Sequence, residues 1–167
     1  MNAYEIVEAL LSKTGPGALF PPLDEEGRTV ALAAKDAPIE LAADPDDPES
    51  LFFSLSMPLL TLEGADDSSQ LAFLWHLTET SAAGALPPGY LFCGDWEEMS
   101  ISLAAQFSAQ GLELGTLENI ADEFYRYGQV LRESLVSRLE AIVSGQEQAS
   151  ADSAPFELPG REEFLRV

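Results

Sequence analysis

The stretch SLFFSLSMPL at residues 50–59 limits the fold of this chain more than any other segment. Apolar side chains occupy every odd position from Leu51 to Leu59, and Ser54 and Ser56 fall between them. Successive side chains of a β-strand point to opposite faces, so the pattern predicts a strand with one apolar face. Proline cannot donate to a sheet ladder, and Pro58 is therefore expected to end this strand or to mark a sheet edge.

Other segments predict four more strands. Alternation through Val30 and Leu32 predicts a strand at residues 29–34, and a turn at residues 36–38 leads to a second at 39–41. With the segment at 50–59 these would complete a three-stranded antiparallel meander. Residues 90–93 and 99–107 predict a second hairpin around the turn GDWEE.

Three helices complete the pattern. Asn2 followed by Glu5 is typical of a helix cap, Asp66 precedes a second and very apolar helix, and Thr116 is expected to cap a long third one. The predicted fold class is α+β, an antiparallel five-stranded sheet with three helices in the order α-β-β-β-α-β-β-α. Residues 1–143 would form this domain, and the low-complexity residues 144–167 a mostly flexible C-terminal tail.

The charge of the chain limits its partners. Twenty-nine acidic residues face 8 basic ones, giving a formal net charge of −21. Nucleic acid and anionic membranes bind through Lys and Arg, so neither is an expected partner. Glu5 and Glu8 lie where a secretory signal would be positively charged, and no apolar run approaches the ~20 residues of a membrane span, so a cytoplasmic location is expected.

The residues needed for catalysis or metal binding are scarce. His76 is the only histidine and lies in the apolar second helix without a Gly-x-Ser-x-Gly elbow. Cys93 is the only cysteine, which excludes an internal disulfide and predicts a small packed side chain. The loop DPDDPE at residues 44–49 lacks the glycine and distal glutamate of a calcium loop, and a solvated turn is the better interpretation. We therefore expect no enzyme activity, no catalytic or metal-binding residues and no cofactor.

The chain has more apolar positions than a small domain can easily bury. Phe52 is on the opposite face of its predicted strand, and Leu19 and Phe20 are in a linker. The second helix has a wide apolar face, and the last predicted strand adds Ile101 and Phe107. Dimerisation or the binding of another protein would explain this surplus.

The order of elements, the size and the acidity resemble the class I chaperones of bacterial type III secretion, the group typified by the Tir chaperone. The resemblance covers about residues 1–143. It is carried by NAYEIVEALLSKTG, RTVALAA, IELAAD, SLFFSLSMPL, SSQLAFLWHLTE, GYLFCGDWEEMSISLAAQF and LENIADEFYRYGQVLRESL.

This resemblance implies a bacterial cytoplasmic homodimer that binds the N-terminal segment of a secreted effector and keeps it soluble, partly extended and competent for export. It also implies two sets of surface residues. The effector-binding set would be Leu10, Leu19, Phe20, Leu32 and Phe52. The dimer interface would be Leu71, Leu74, Trp75, Ile101 and Phe107.

Two further hypotheses follow from the sequence. An acidic inhibitor that mimics nucleic acid and binds a basic partner is the alternative function, although its carboxylates would not account for the surplus apolar positions. The tail could cover an apolar groove, with Phe156, Leu158, Phe164 and Leu165 as intramolecular substitutes for an effector.

Overall fold

The computed structural model describes residues 1–13, 20–31 and 37–145, and it confirms the predicted fold class and element order. Part of the first predicted strand, including Leu32, and the linker residue Leu19 lie outside these residues. The elements are α1 (Ala3–Leu11), β1 (Arg28–Ala31), β2 (Ile39–Ala42), β3 (Phe52–Thr61), α2 (Asp67–Ala82), β4 (Tyr90–Asp95), β5 (Ser100–Ser108) and α3 (Leu114–Val143).

The five strands form one antiparallel sheet in the order β1-β2-β3-β5-β4. The meander β1-β2-β3 and the hairpin β4-β5 are both as predicted. The expectation for Pro58 is wrong, because β3 continues through it to Thr61 at the centre of the sheet. Pro58 is paired with Ser102 of β5, and a register shift follows it. The pairing of β2 with β3 ends at residue 56, so the missing N–H of Pro58 interrupts no ladder on that side.

The core lies between the sheet and α3. Phe53, Leu55, Met57 and Leu59 of β3 are all buried, which confirms the apolar face predicted from their spacing. Leu51 does not share this burial and is 43% exposed, because the strand begins one residue after it. The buried side chains of α3 that complete this core are Leu117, Ala121, Phe124, Tyr127, Leu131 and Leu135.

The helices α1 and α2 begin at the predicted caps, Asn2 and Asp66, whereas α3 begins before the predicted one. The Asn2 side chain accepts a hydrogen bond from the backbone N–H of Glu5 at 2.8 Å, and the Glu5 carboxylate accepts one from the backbone N–H of Asn2, as predicted. The predicted cap at Thr116 is wrong. The N–H of Leu117 already donates to the carbonyl oxygen of Glu113, so Thr116 lies inside the first turn of α3.

The turn before β1 requires glycine at residue 27. Gly27 has φ = 76°, and a Cβ there would lie 2.1 Å from the carbonyl oxygen of Ala43, whose N–H donates to the carbonyl oxygen of Gly27. Replacing Gly27 with Ala should lower the free energy of unfolding by about 2 kcal/mol or more, because a left-handed Ala is strained and the contact is with backbone.

Urea unfolding followed by circular dichroism measures this change. Gly64→Ala is the matched control, because Gly64 has φ = 87° but no atom within 4 Å of the added Cβ, and it should cost only about 1 kcal/mol. Equal losses in the two variants would show that the contact with Ala43 has no effect.

Candidate functional site

The loop before β3 and the start of β3 form an exposed groove with a volume of about 720 Å³. Phe52 is 55% exposed in it and stands beside the exposed Leu51. We call this surface the β3 groove. Its lining residues are Glu26, Arg28, Ala42, Ala43, Asp44, Pro45, Asp47, Glu49, Ser50, Leu51, Phe52, Phe53, Ser54 and Gln106.

Local hydrogen bonds fix the loop that presents Phe52. The Asp47 carboxylate accepts hydrogen bonds at 3.0 Å from the backbone N–H groups of Glu49 and Ser50. The carbonyl oxygen of Ser50 accepts one from the N–H of Ala3 at 2.7 Å, which ties the loop to the first residue of α1. The apolar pair Leu51 and Phe52 therefore lies where an anchored loop meets β3, and this anchoring lowers the entropy lost when a partner binds.

The β3 groove is acidic. Among the described residues that line it are the carboxylates of Glu26, Asp44, Asp47 and Glu49 and one cation, Arg28, which forms an ion pair with Glu26. An apolar surface with this rim favours a segment that carries apolar anchors and has neutral or basic residues between them.

A second apolar surface lies between α2 and α3. Leu71 is 69% exposed and Trp75 is 65% exposed, and they line a hollow of about 530 Å³. We call it the α2–α3 hollow. Its lining residues are Ser68, Leu71, Ala72, Trp75, His76, Glu79, Arg138 and Ile142.

The two faces of α2 explain why this surface is exposed. Phe73 and Leu77 point into the core, while Leu71 and Trp75 lie on the other side of the same helix. The indole N–H of Trp75 donates to the Glu79 carboxylate at 2.8 Å, which orients the ring. Exposed apolar faces on folded domains are typical of contact surfaces, and this face is therefore a candidate for one.

Asp66 fixes the start of α2. Its carboxylate accepts hydrogen bonds from the hydroxyl and backbone N–H of both Ser68 and Ser69. The bond from the Ser68 side chain contributes most to holding the pKa of the Asp66 carboxyl well below its usual value. The cap therefore stays charged at neutral pH and sets where the exposed face of α2 begins.

His76 forms part of the wall of the α2–α3 hollow. Burial lowers the pKa of its imidazole and nearby Arg138 lowers it further, whereas Glu79 opposes the shift. His76 is therefore mostly neutral at pH 7, and it adds little charge to the hollow.

The structure places the predicted effector-binding residues at different depths. Phe52 is exposed in the β3 groove, whereas Leu10 and Phe20 are buried in the core, Phe20 with 2% of its surface exposed. Leu19 and Leu32 lie outside the described residues. Of the described members, Phe52 alone offers a partner a large apolar surface in this conformation.

The residues predicted for the dimer interface also differ in their exposure. Leu71 and Trp75 are exposed together in the α2–α3 hollow, and Leu74 is half-buried against the core. On β5, Ile101 is only 3% exposed, and Phe107 is half-buried with its ring 5.7 Å from that of Phe53. The exposed part of this set therefore belongs to α2, and the dimer interface stays a prediction.

The sequence did not predict that three residues near the outer edge of the sheet are exposed. Leu91 and Cys93 point outward from β4, and Trp96 is exposed in the turn that follows. The packed position predicted for Cys93 is wrong. The run Tyr90-Leu91-Phe92-Cys93 is apolar throughout, so it has no alternation to show which side chains face the core.

The described residues contain neither a metal-binding cluster nor a helix that could span a membrane. No cluster of three or more His, Cys, Asp or Glu side chains within residues 1–13, 20–31 and 37–145 has a geometry suited to a metal ion. Among the helices in the same ranges, none combines the length and apolar character needed to span a membrane.

The chain shares its α+β fold with solved structures of class I type III secretion chaperones, and the similarity extends over most of its length. The sequence itself matches no protein family model and no curated protein.

Three solved structures illustrate the similarity. In the complex of ExsC with ExsE, the matched chain is 18% identical with a TM-score of 0.58, and the match covers 81% of this chain and 97% of that one. The HopA1–SchA chaperone-effector complex gives 13% identity, a TM-score of 0.52 and coverage of 78% and 96%. The third is the Yersinia pestis type III secretion chaperone SycH in complex with a stable fragment of YscM2. It is 12% identical with a TM-score of 0.49, and the match covers 76% of this chain and 97% of that one.

Proposed function

We propose that this protein is a type III secretion chaperone that binds the N-terminal segment of a secreted effector. The bound segment stays soluble, partly extended and competent for export. The observation that carries the proposal is an exposed aromatic residue, Phe52, which begins β3 directly after an anchored loop, in a fold shared with a chaperone seen in complex with its effector.

The effector segment could bind through apolar contacts in the β3 groove and through main-chain hydrogen bonds at an edge of the sheet. An apolar side chain of the effector segment would contact Phe52 and Leu51, while its neutral or basic residues face the carboxylates of the rim. The strands β1 and β4 are the outer strands of the described sheet, and an extended segment can add main-chain hydrogen bonds to such an edge. These bonds do not depend on side-chain identity, and an effector segment of varied sequence can use them.

We further propose that the protein is a cytoplasmic homodimer and has no nucleic-acid partner. The exposed face of α2 with Leu71 and Trp75 supports a contact between copies, because both side chains are large and apolar. The net charge of −21 would keep each copy soluble while these surfaces are free.

Deletion of the gene in the native bacterium tests the function. We expect one or a few proteins to disappear from the secreted fraction. The transcripts of these proteins should be unchanged, and the amount of each in the soluble cytoplasmic fraction should fall. Re-expression of the wild-type chain should restore their export. An unchanged set of secreted proteins would contradict the proposal.

Replacing Trp75 with Glu should weaken the proposed dimer about 30-fold, because a buried tryptophan at an interface contributes ~2 kcal/mol or more. Light scattering across a dilution series measures the change, with a monomer expected where the wild-type chain is a dimer.

Val136→Glu is the control for this prediction. Val136 is exposed on α3, does not line the α2–α3 hollow, and should leave the dimer unchanged. A dimer that persists in Trp75→Glu would remove α2 from the interface.

A further inference from the structure

The α2–α3 hollow lies next to the point where the described part of the chain ends. Ile142 and Arg138, in the last two turns of α3, form one of its walls. Three residues after Ile142, Gly145 has φ = 69° and donates its N–H to the carbonyl oxygen of Ile142 at 3.1 Å. A left-handed residue at this position ends the helix and turns the chain away from the helix axis.

Residues 146–167 continue the chain from this point, and their sequence has two parts. Residues 146–155 are mostly small or polar, whereas the part that follows contains Phe156, Leu158, Phe164 and Leu165. The first part can span up to about 33 Å when extended, and the hollow begins at the end of α3 itself. The apolar part can therefore reach every side of the hollow.

We propose that residues 146–167 dock in the α2–α3 hollow of their own chain and cover Leu71 and Trp75 through these four apolar side chains. The hollow is lined mainly by apolar surface, and its volume of about 530 Å³ accommodates two or more of them. The docked segment occupies the face of α2 that the proposed dimer would use. It therefore competes with a second copy of the chain.

Charge favours this site over the acidic β3 groove. Most of the molecule repels the tail, because the chain has a net charge of −21 and the acids of residues 146–167 outnumber their two arginines. Among its described lining residues, the hollow instead combines one arginine, Arg138, with one carboxylate, Glu79, and a histidine. Glu157, between Phe156 and Leu158, meets less repulsion here than on the acidic face of the β3 groove.

A covalent tether makes weak contacts sufficient. A short flexible link gives an effective concentration of about 1 mM, so a segment with a dissociation constant of about 0.1 mM would be docked in about nine chains of ten. This docking does not depend on effector binding. It can hold or fail separately from the proposed chaperone function.

Acrylamide quenching of Trp75 fluorescence tests the proposal in the full-length chain. Trp96→Phe leaves Trp75 as the single tryptophan, because the chain has two. The test variant also carries Phe156→Ser, Leu158→Ser, Phe164→Ser and Leu165→Ser, and the matched control carries Ser150→Ala and Ser153→Ala. Light scattering on the same samples identifies the concentrations at which each chain is a monomer.

We expect the quenching constant of the monomeric test variant to be at least about twofold higher than that of the parent, because docking would shield Trp75 in most parent chains. The control should match the Trp96→Phe parent. Equal quenching constants in the monomeric parent and test variant would overturn the proposal. The proposal would also be overturned if the shielding of Trp75 depended on protein concentration and not on the tail. In that case a second copy of the chain would occupy the hollow.

Discussion

Replacing Phe52 with Asp should lower the affinity of this chain for its effector segment about 100-fold, which corresponds to ~2.7 kcal/mol. The substitution removes an exposed aromatic anchor and adds a further carboxylate to a groove that is already acidic. Because Phe52 contributes little to the core, the fold should be retained. Isothermal titration calorimetry with the effector segment that copurifies with the chain measures the loss.

Val130→Asp is the matched control for this prediction. Val130 is an exposed apolar residue of α3 that does not line the β3 groove, so its replacement adds the same charge elsewhere. The affinity of this variant should be within about twofold of wild type, since residues outside an interface contribute little. Equal losses in both variants would mean that charge, and not the β3 groove, decides binding.

Replacing Phe124 with Ala should lower the free energy of unfolding by about 3–5 kcal/mol, because it removes a fully buried ring and leaves a cavity. Phe124 is 0% exposed, and its ring centroid lies 5.6 Å from that of Tyr90 in β4. Guanidinium unfolding followed by circular dichroism measures the change. A large effect is expected because this contact joins α3 to the outer hairpin of the sheet.

The control for Phe124→Ala lies on the same helix. Val136 is exposed on α3, and Val136→Ala should change the free energy of unfolding by about 0.5 kcal/mol or less. A loss below about 1 kcal/mol in Phe124→Ala would contradict the position of its ring in the core.

The sequence predicted most of the fold because several segments have a clear period. Alternation in β3 identified four of its buried side chains, and the pairing of Asn2 with Glu5 identified the first helix cap. Two details needed the structure. Pro58 is accommodated in a central strand because β2 is too short to reach it, and α3 begins before Thr116 because Glu113 already accepts its first hydrogen bond.

The candidate surfaces were only partly predictable. The family resemblance implied surface roles for Phe52, Leu71 and Trp75, and all three are exposed. The same resemblance implied surface roles for Ile101 and Phe20, but Ile101 points inward from β5 and Phe20 is enclosed in the core. The anchoring of the loop before Phe52 depends on contacts between Ala3 and Ser50, which no local pattern indicates.

The acidity of the chain and its exposed apolar residues are compatible in one molecule. A chain with Phe52, Leu71 and Trp75 exposed would aggregate if it were neutral, and self-repulsion at a net charge of −21 opposes this. Affinity that comes from apolar contacts should change little between low and high salt, whereas a mimic of nucleic acid would lose its partner.

The partner that we propose for this protein is an extended N-terminal segment of a secreted protein. Limited proteolysis of the complex captured from the native cytoplasm, with mass spectrometry of the protected fragments, tests it most directly. We predict one secreted protein, protected only over an N-terminal segment and retained in high salt. A nucleic-acid-binding partner, protection of a whole folded domain, or release by salt would contradict the claim.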